Sequence, residues 1–224
     1  ADEVEGIKCY SDLKSIGSSV DLAIVVIPSK FVLNALKDCA DIGTKSVIII
    51  TAGFKEVGPE GAELEKQVVE FANQNDLNIV GPNCLGILSP THNLNASFGG
   101  TLPKPGGIGY VSQSGALLSS ILDMANTNDI GFSKLISFGN KCDLDELDFM
   151  QNRGEDNETK VIAGYLESIG DGPSFVEKAS AISRKKPIIL MKSGVSSAGA
   201  KAASSHTGSL AGSDTAYECA FEKT

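Results

Sequence analysis

Tryptophan is absent from the 224 residues, histidine occurs only at His92 and His206, and no two of the five cysteines form a Cys-x-x-Cys pair. Two imidazoles and scattered thiols (Cys9, Cys39, Cys84, Cys142, Cys219) are too few and too far apart for a structural zinc site, so no metal is expected on the chain. An odd, unpaired set of cysteines reads as the reduced thiols of a cytoplasmic protein. Long apolar runs are missing as well. The longest, Leu22 to Ile27, is far short of a membrane span, and no basic-then-apolar leader opens the chain, so neither a membrane nor secretion is expected. Positive charge is in deficit: 19 Lys and Arg against 28 Asp and Glu leave a net charge of -9, which argues against nucleic acid as a partner. With 42% hydrophobic and 21% charged residues the chain is nevertheless an ordinary globular one.

Acids themselves are absent from two long stretches, Leu77 to Leu122 and Lys178 to Ser213, where an even spread of the 28 would put about ten. The second stretch carries Lys178, Arg184, Lys185, Lys186, Lys192 and Lys201 with nothing to offset them. Clearing carboxylates from loop-rich segments of an acidic protein keeps a site open for phosphate. Buried strands and small-residue turns would also lack acids, and charge alone does not separate the two readings.

What is present is an alternation of β-branched runs and amphipathic segments. Asp21 to Pro28 (DLAIVVIP), Lys45 to Thr51 (KSVIIIT) and Asn78 to Gly81 read as strands, with helices over Ser29 to Ile42 and Glu60 to Asn75. A stretch rich in Asn, Pro and Gly, Ser89 to Gly107, reads as an inter-domain linker. The alternation then restarts. Strands are expected at Gly109 to Ser112, Lys134 to Phe138, Val161 to Leu166 and Pro187 to Lys192, with helices at Ser114 to Asn126, Asp143 to Asn152 and Pro173 to Lys185. A small-residue loop and a last helix from about Ser213 should close the chain. Continuous apolar strands joined by helices imply parallel sheets covered on both faces. The expected fold class is therefore α/β, with two tandem parallel-sheet domains over 1–100 and 101–224. Ligands in such sheets sit at the carboxyl ends of the strands. Here those ends read Ile27-Pro28, Ile50-Thr51-Ala52 and Gly81-Pro82-Asn83-Cys84.

No G-x-G-x-x-G follows an expected strand and no G-x-x-x-x-G-K-[ST] is present; Gly194 to Lys201 (GVSSAGAK) is a near miss. The chemistry must be sought elsewhere. His206 lies among small residues, with Thr207 and Gly208 directly after it, so a bulky polyanion can approach and backbone N–H groups can form a phosphate nest. A histidine there can serve as base or as covalent nucleophile, or simply be a loop residue. Ser112-Gln113-Ser114-Gly115 ends a strand and opens a helix, where unpaired N–H groups and the macrodipole favour an anion; ordinary capping is compatible with this. Glu167 follows an apolar strand at its carboxyl end, where it could orient a histidine as the third member of a triad does. From spacing alone, a capping or solvated Glu is favoured. Cys84 could be a thiol nucleophile, but cysteine is often a small buried hydrophobe.

The motifs GPNCLG (Gly81 to Gly86), VSQSGAL (Val111 to Leu117), SFGNKCDLD (Ser137 to Asp145), YLES (Tyr165 to Ser168) and SHTGSLAG (Ser205 to Gly212) together make the sequence resemble the NDP-forming acyl-CoA synthetases. That family includes the ADP-forming acetyl-CoA synthetases and the α subunit of succinyl-CoA synthetase. The resemblance implies a truncated Rossmann-like CoA-binding domain, its first strand and glycine loop lying before residue 1, followed by a flavodoxin-like CoA-ligase domain. It puts the phosphorylated histidine at His206, its supporting glutamate at Glu167, and the phosphate at Ser112, Gln113, Ser114, Gly115, Thr207 and Gly208. CoA contacts would fall on Ile27, Pro28, Ile50, Thr51, Ala52, Asn83 and Cys84. Ser119, where succinyl-CoA synthetases carry a tyrosine, leans away from succinate.

The implied reaction is reversible: acyl-CoA, phosphate and ADP give a carboxylic acid, ATP and CoA through an acyl phosphate and a phosphohistidine. ADP or ATP, with Mg, would bind a partner ATP-grasp β subunit or fused domain rather than this stretch, which would be inactive alone. Small carboxylic acids and phosphate are the expected small-molecule partners, in an oligomeric assembly. The rival expectation is a non-catalytic regulatory module of a protein acetyltransferase.

Overall fold

The computed structural model describes residues 2–193. A short antiparallel ribbon, β1 (Glu3–Val4) and β2 (Ile7–Lys8), opens the chain. β3 (Ala23–Val25), α1 (Val32–Asp41), β4 (Ser46–Ile49), α2 (Pro59–Asn75) and β5 (Asn78–Val80) follow, the three strands forming a parallel sheet in the order β3-β4-β5. The second part contains β6 (Gly86–Ser89), β7 (Leu94–Ser97), β8 (Pro105–Ser112), α3 (Gly115–Thr127), β9 (Phe132–Ser137), α4 (Glu146–Glu155), β10 (Val161–Leu166), α5 (Gly172–Ser183) and β11 (Ile188–Lys192). These strands form one sheet in the order β11-β10-β8-β9-β6-β7, parallel from β11 to β9 and antiparallel at β6 and β7. Among the described residues, no helix is long and apolar enough to cross a membrane.

The expected linker corrects to a hairpin. Residues 86–97 follow the small sheet's last strand; β6 pairs with β9, Leu88 opposite Leu135, and β7 pairs with β6, so that the hairpin completes the larger sheet. Leu88 and Ala96 are buried in it. Pro90 and Asn93, two of the residues that suggested a linker, belong to the hairpin turn: Pro90–His92 is a single 3-10 turn, and Asn93 takes the left-handed conformation at φ 51°. Asparagine tolerates that region better than most residues.

Helices α1 and α2 cover one face of the small sheet with Val32, Leu36, Val68 and Ala72 against Val47, Ile49 and Ile79. The other face carries Ile48 and Val80, which join Val111, Ile136, Phe138, Phe149 and Ile162 of the second part in one continuous core. The alternation of Val47 and Ile49 with Ile48 thus buries both faces of β4, which is why it reads as an unbroken apolar run. Because one core spans both sheets, their carboxyl ends are fixed relative to each other.

Candidate active site

Register aligns the ends of the central strands. Ser112 of β8 lies opposite Ser137 of β9 and Tyr165 of β10, so Gln113, Phe138 and the Leu166–Glu167 step emerge side by side. From the small sheet, Ile50-Thr51-Ala52 and Gly81-Pro82-Asn83 arrive at the same edge. They are tied together by Asn83 N–H donating to Thr51 C=O at 2.9 Å. The turn after β9 closes against them, with Asn140 N–H donating to Pro82 C=O and Cys142 N–H to Gly81 C=O. Two glycines make this approach possible. Gly81 has φ 106°, and a Cβ on it would sit 2.4 Å from the Ile49 carbonyl oxygen. Gly139 has φ 50°, and its Cβ would sit 2.2 Å from the Asn83 carbonyl oxygen. Only glycine fits such positions.

Between these ends lies a cavity of about 390 Å³ lined by Ile50, Ala52, Asn83, Cys84, Leu85, Phe98, Gln113, Ser114, Gly115, Ala116, Ser119, Gly139 and Asn140. Among the described residues no charged side chain lines it, and the walls from residue 83 to residue 119 all come from the first acid-free stretch. The positive contribution comes from the backbone. Ser114 is the N-cap of α3 and its hydroxyl accepts from Leu117 N–H at 3.2 Å, while Gly115 and Ala116 open the helix at the cavity wall. The first N–H groups of a helix have no intrahelical acceptor, and the macrodipole adds to their attraction for an anion.

Of the candidate site residues, Ile50, Ala52, Asn83 and Cys84 therefore share one cavity with Gln113, Ser114 and Gly115. Thr51 is adjacent, its hydroxyl donating to the Ile27 carbonyl at 2.7 Å, whereas Ile27 and Pro28 do not line the cavity. Ser112 does not line it either. It is fully buried, and its hydroxyl donates to Ser114 C=O and accepts from Ser114 N–H, which shapes the turn. Cys84 is buried with its thiol directed at the Ile49 carbonyl, and burial pushes its pKa up to about 12. A thiolate is the nucleophilic form, so the geometry leaves Cys84 as a packing group. Glu167 is buried at the end of β10, its N–H donating to Gln113 Oε1 at 2.6 Å. His206, Thr207, Gly208 and the last expected helix lie outside the described residues.

Sequence reasoning missed Asn140. Its amide Nδ2 donates to Glu56 Oε2 at 2.7 Å and Glu65 Oε2 at 2.8 Å, its Oδ1 accepts from Asn83 at 3.3 Å, and its carbonyl accepts from Lys55 Nζ at 2.6 Å. Burial works against ionisation of Glu56, but hydrogen bonds from Asn140, Gly53 and Phe54 outweigh it and hold the carboxyl below the usual range. Asn83 lies 57 positions away in sequence and Glu65, Glu56 and Lys55 75 to 85, so that only the SFGNKCDLD motif as a whole hinted at them.

Comparisons with known proteins divide the chain in the same order. Residues 1–90 match the CoA binding domain and residues 105–224 the succinyl-CoA ligase like flavodoxin domain. The chain is 49% identical over 223 residues to the α subunit of acetate–CoA ligase (ADP-forming) II of Pyrococcus furiosus, all of this chain against 49% of that one. It is 45% identical over 222 residues to acetate–CoA ligase (ADP-forming) I of Archaeoglobus fulgidus, covering 99% of this chain and 32% of the relative. The dinucleotide-forming acetyl-coenzyme A synthetase 1 of Ca. Korarchaeum cryptofilum, solved with phosphate and ADP, superposes at a TM-score of 0.94 with 42% identity, over all of this chain and 48% of that one. The chain thus spans about a third to a half of the length of these relatives.

Proposed function

Because the chain belongs to the family of the succinyl-CoA ligase-like flavodoxin domain, joined to a CoA-binding domain as in the NDP-forming acyl-CoA synthetases, we propose that it is the α part of an ADP-forming acyl-CoA synthetase. The observation that carries this reading is the cavity, uncharged among its described lining residues, where Asn83 and Cys84 of one sheet face the start of α3 from the other. A thioester held against the Asn83 side and a phosphate at the Gly115 end would be within reach of one another. The uncapped N–H groups would stabilise charge on the transferring group without a competing side-chain carboxylate among the described wall residues.

The reaction balances in three steps. Phosphate displaces CoA from the acyl-CoA to give an acyl phosphate; the His206 imidazole takes the phosphoryl group and releases the carboxylate; ADP takes it from His206 to give ATP. Glu167 supports the imidazolium that develops at His206, as the carboxylate of a triad does. We divide the labour accordingly: the small sheet binds CoA and the large sheet carries phosphoryl chemistry, with Thr207 and Gly208 completing the phosphate site. Ile27, Pro28 and Thr51 extend the CoA contacts outward along the small sheet. ADP and Mg are assigned to an ATP-grasp β subunit or fused portion, in a cytoplasmic oligomer. That the two curated relatives named above are acetate ligases favours a small carboxylic acid, and Ser119 in the cavity wall, where succinyl-CoA synthetases carry a tyrosine, leans away from succinate.

The test is chemical. In the full-length protein with its nucleotide-binding part, labelled ATP should leave an acid-labile, base-stable phosphoryl group. A phosphoramidate has that lability and a phosphoserine the reverse, which separates His206 from Ser204, Ser205 and Ser209. His206→Ala should abolish labelling and turnover; retained activity would overturn the assignment of His206, whereas a parent protein that neither labels nor turns over would favour a non-catalytic regulatory module.

A further inference from the structure

Immediately after Glu167 the chain turns, and that turn is gripped by a buried ion pair that the proposed reaction does not itself use. Lys141 Nζ donates to Glu146 Oε2 at 2.8 Å and to the Ser168 carbonyl at 2.9 Å. Glu146 Oε1 in turn accepts from Gly170 N–H at 3.1 Å. The two side chains are 13% and 0% exposed. From the opposite side, Gln113 Oε1 accepts from both Glu167 N–H and Ser168 N–H, at 2.6 and 2.9 Å. The backbone from Glu167 to Gly170 is thus held at four points by three side chains that come from different elements.

Helix capping does not explain Glu146. The start of α4 is already satisfied by a capping box in which Asp145 accepts from Leu147 and Asp148 N–H while Asp148 accepts from Asp145 N–H. Stability does not explain the pair well either. Two charges taken out of water lose about as much in solvation as they recover from one another, and neutral side chains of similar volume often serve a fold equally well. Lys141 also sits in the left-handed region at φ 48°, a conformation that disfavours a side chain. What the arrangement does supply is direction: two charged groups with hydrogen bonds on both sides leave the turn one position.

We infer that Lys141 and Glu146 are positioning residues that fix the Glu167 turn, and with it the carboxylate, for phosphoryl transfer. The inference rests on the assignment of Glu167 as the partner of His206. Misplacing a catalytic group by an ångström can lower a rate about 100-fold. The neutral pair Lys141→Met with Glu146→Gln keeps an acceptor for Gly170 N–H and removes both charges.

In the full-length protein with its nucleotide-binding part, this pair should slow labelling of His206 by about tenfold to 100-fold while KM for acyl-CoA stays unchanged. Combined with Glu167→Gln, it should slow the reaction no further, because there is no longer a carboxylate to place. Should the double substitution fold poorly, Glu146→Gln alone, equal in size, carries the same test at a smaller loss. Labelling at the parental rate would overturn the inference, as would a loss that multiplies with that of Glu167→Gln. A Glu167→Gln protein that itself labels at full rate would instead remove the underlying assignment of Glu167.

Discussion

In the three-stranded half, the strand ends that reach the cavity are held by neutral groups: Thr51 to the Ile27 carbonyl, Asn83 N–H to the Thr51 carbonyl, and the Cys84 thiol to the Ile49 carbonyl; the Glu56 and Glu65 carboxylates brace the loop behind them through Gly53, Phe54 and Asn140. In the six-stranded half, the segment after β10 is held by the Lys141–Glu146 pair and by the Gln113 amide. The two sets of contacts therefore differ at the point nearest the ligand. Strand ends whose cavity-facing groups are backbone and small neutral side chains select chiefly by shape. A turn pinned by ions and a carboxamide keeps a carboxylate still while charge develops beside it, which is what preorganised stabilisation requires. On the proposed reading the first is the thioester side and the second the phosphoryl side.

The sharpest way to break the contrast is at the seam where the halves touch. Gly139→Ala places a Cβ against the Asn83 and Pro82 carbonyl oxygens, both backbone atoms that cannot step aside, at a positive φ. A loss of at least ~2 kcal/mol is expected, read as a lower denaturant midpoint with one unfolding transition. Two separate transitions would show that the halves stand independently and that the shared core does not couple them.

A smaller effect separates the walls functionally. Asn83→Ala removes a neutral contact worth about 1 kcal/mol, so KM for acyl-CoA should rise tenfold or less while labelling of His206 by ATP is unaffected. Equal damage to both would mean that the division between shape and charge is false.

The smallest effect is invisible at neutral pH. Burial disfavours the ionised Asp156, but Lys134 at 2.9 Å, Glu158 N–H and Thr159 hold its pKa at about 2. Glu56, in the other half, is also held below its usual value. A carboxyl depressed in the folded state stabilises above its unfolded pKa, so both contributions are complete above about pH 4.5 and fade as pH falls towards 2. Lys134→Met should remove most of the Asp156 part and flatten that decline. An unchanged profile would mean that these carboxylates do not govern acid stability.

The strands of the core were legible because burial on both faces leaves an unbroken β-branched run, as in KSVIIIT for β4 and VIAGYL for β10. β3 proved shorter than its apolar run, Ala23–Val25, since Ile24 and Val26 lie at an exposed edge. The ribbon of β1 and β2 escaped notice because its residues are exposed and alternate no pattern. At the site, strand ends and the VSQSG turn could be read locally, since a strand's carboxyl end and a helix start are written in adjacent residues. Asn140 and the Lys141–Glu146 pair could not, because their meaning lies in partners contributed by other elements. Nor could the inward turn of Ser112, which depends on a hydroxyl rotating back onto its own loop rather than out to a ligand.

The hairpin of β6 and β7 has a bearing on how such chains can be recombined. Only the residues between Val80 and Gly86 separate the last strand of one sheet from a strand woven into the other. A chimera that exchanged the first 90 residues with a relative would cut within this hairpin and graft a foreign strand onto the edge of β9. A crossover at Asn83 would respect the sheets but divide the cavity wall between two parents. The exchangeable unit is therefore the small sheet together with its hairpin, ending near residue 100, with the Leu88–Leu135 pairing as the joint that any donor must match.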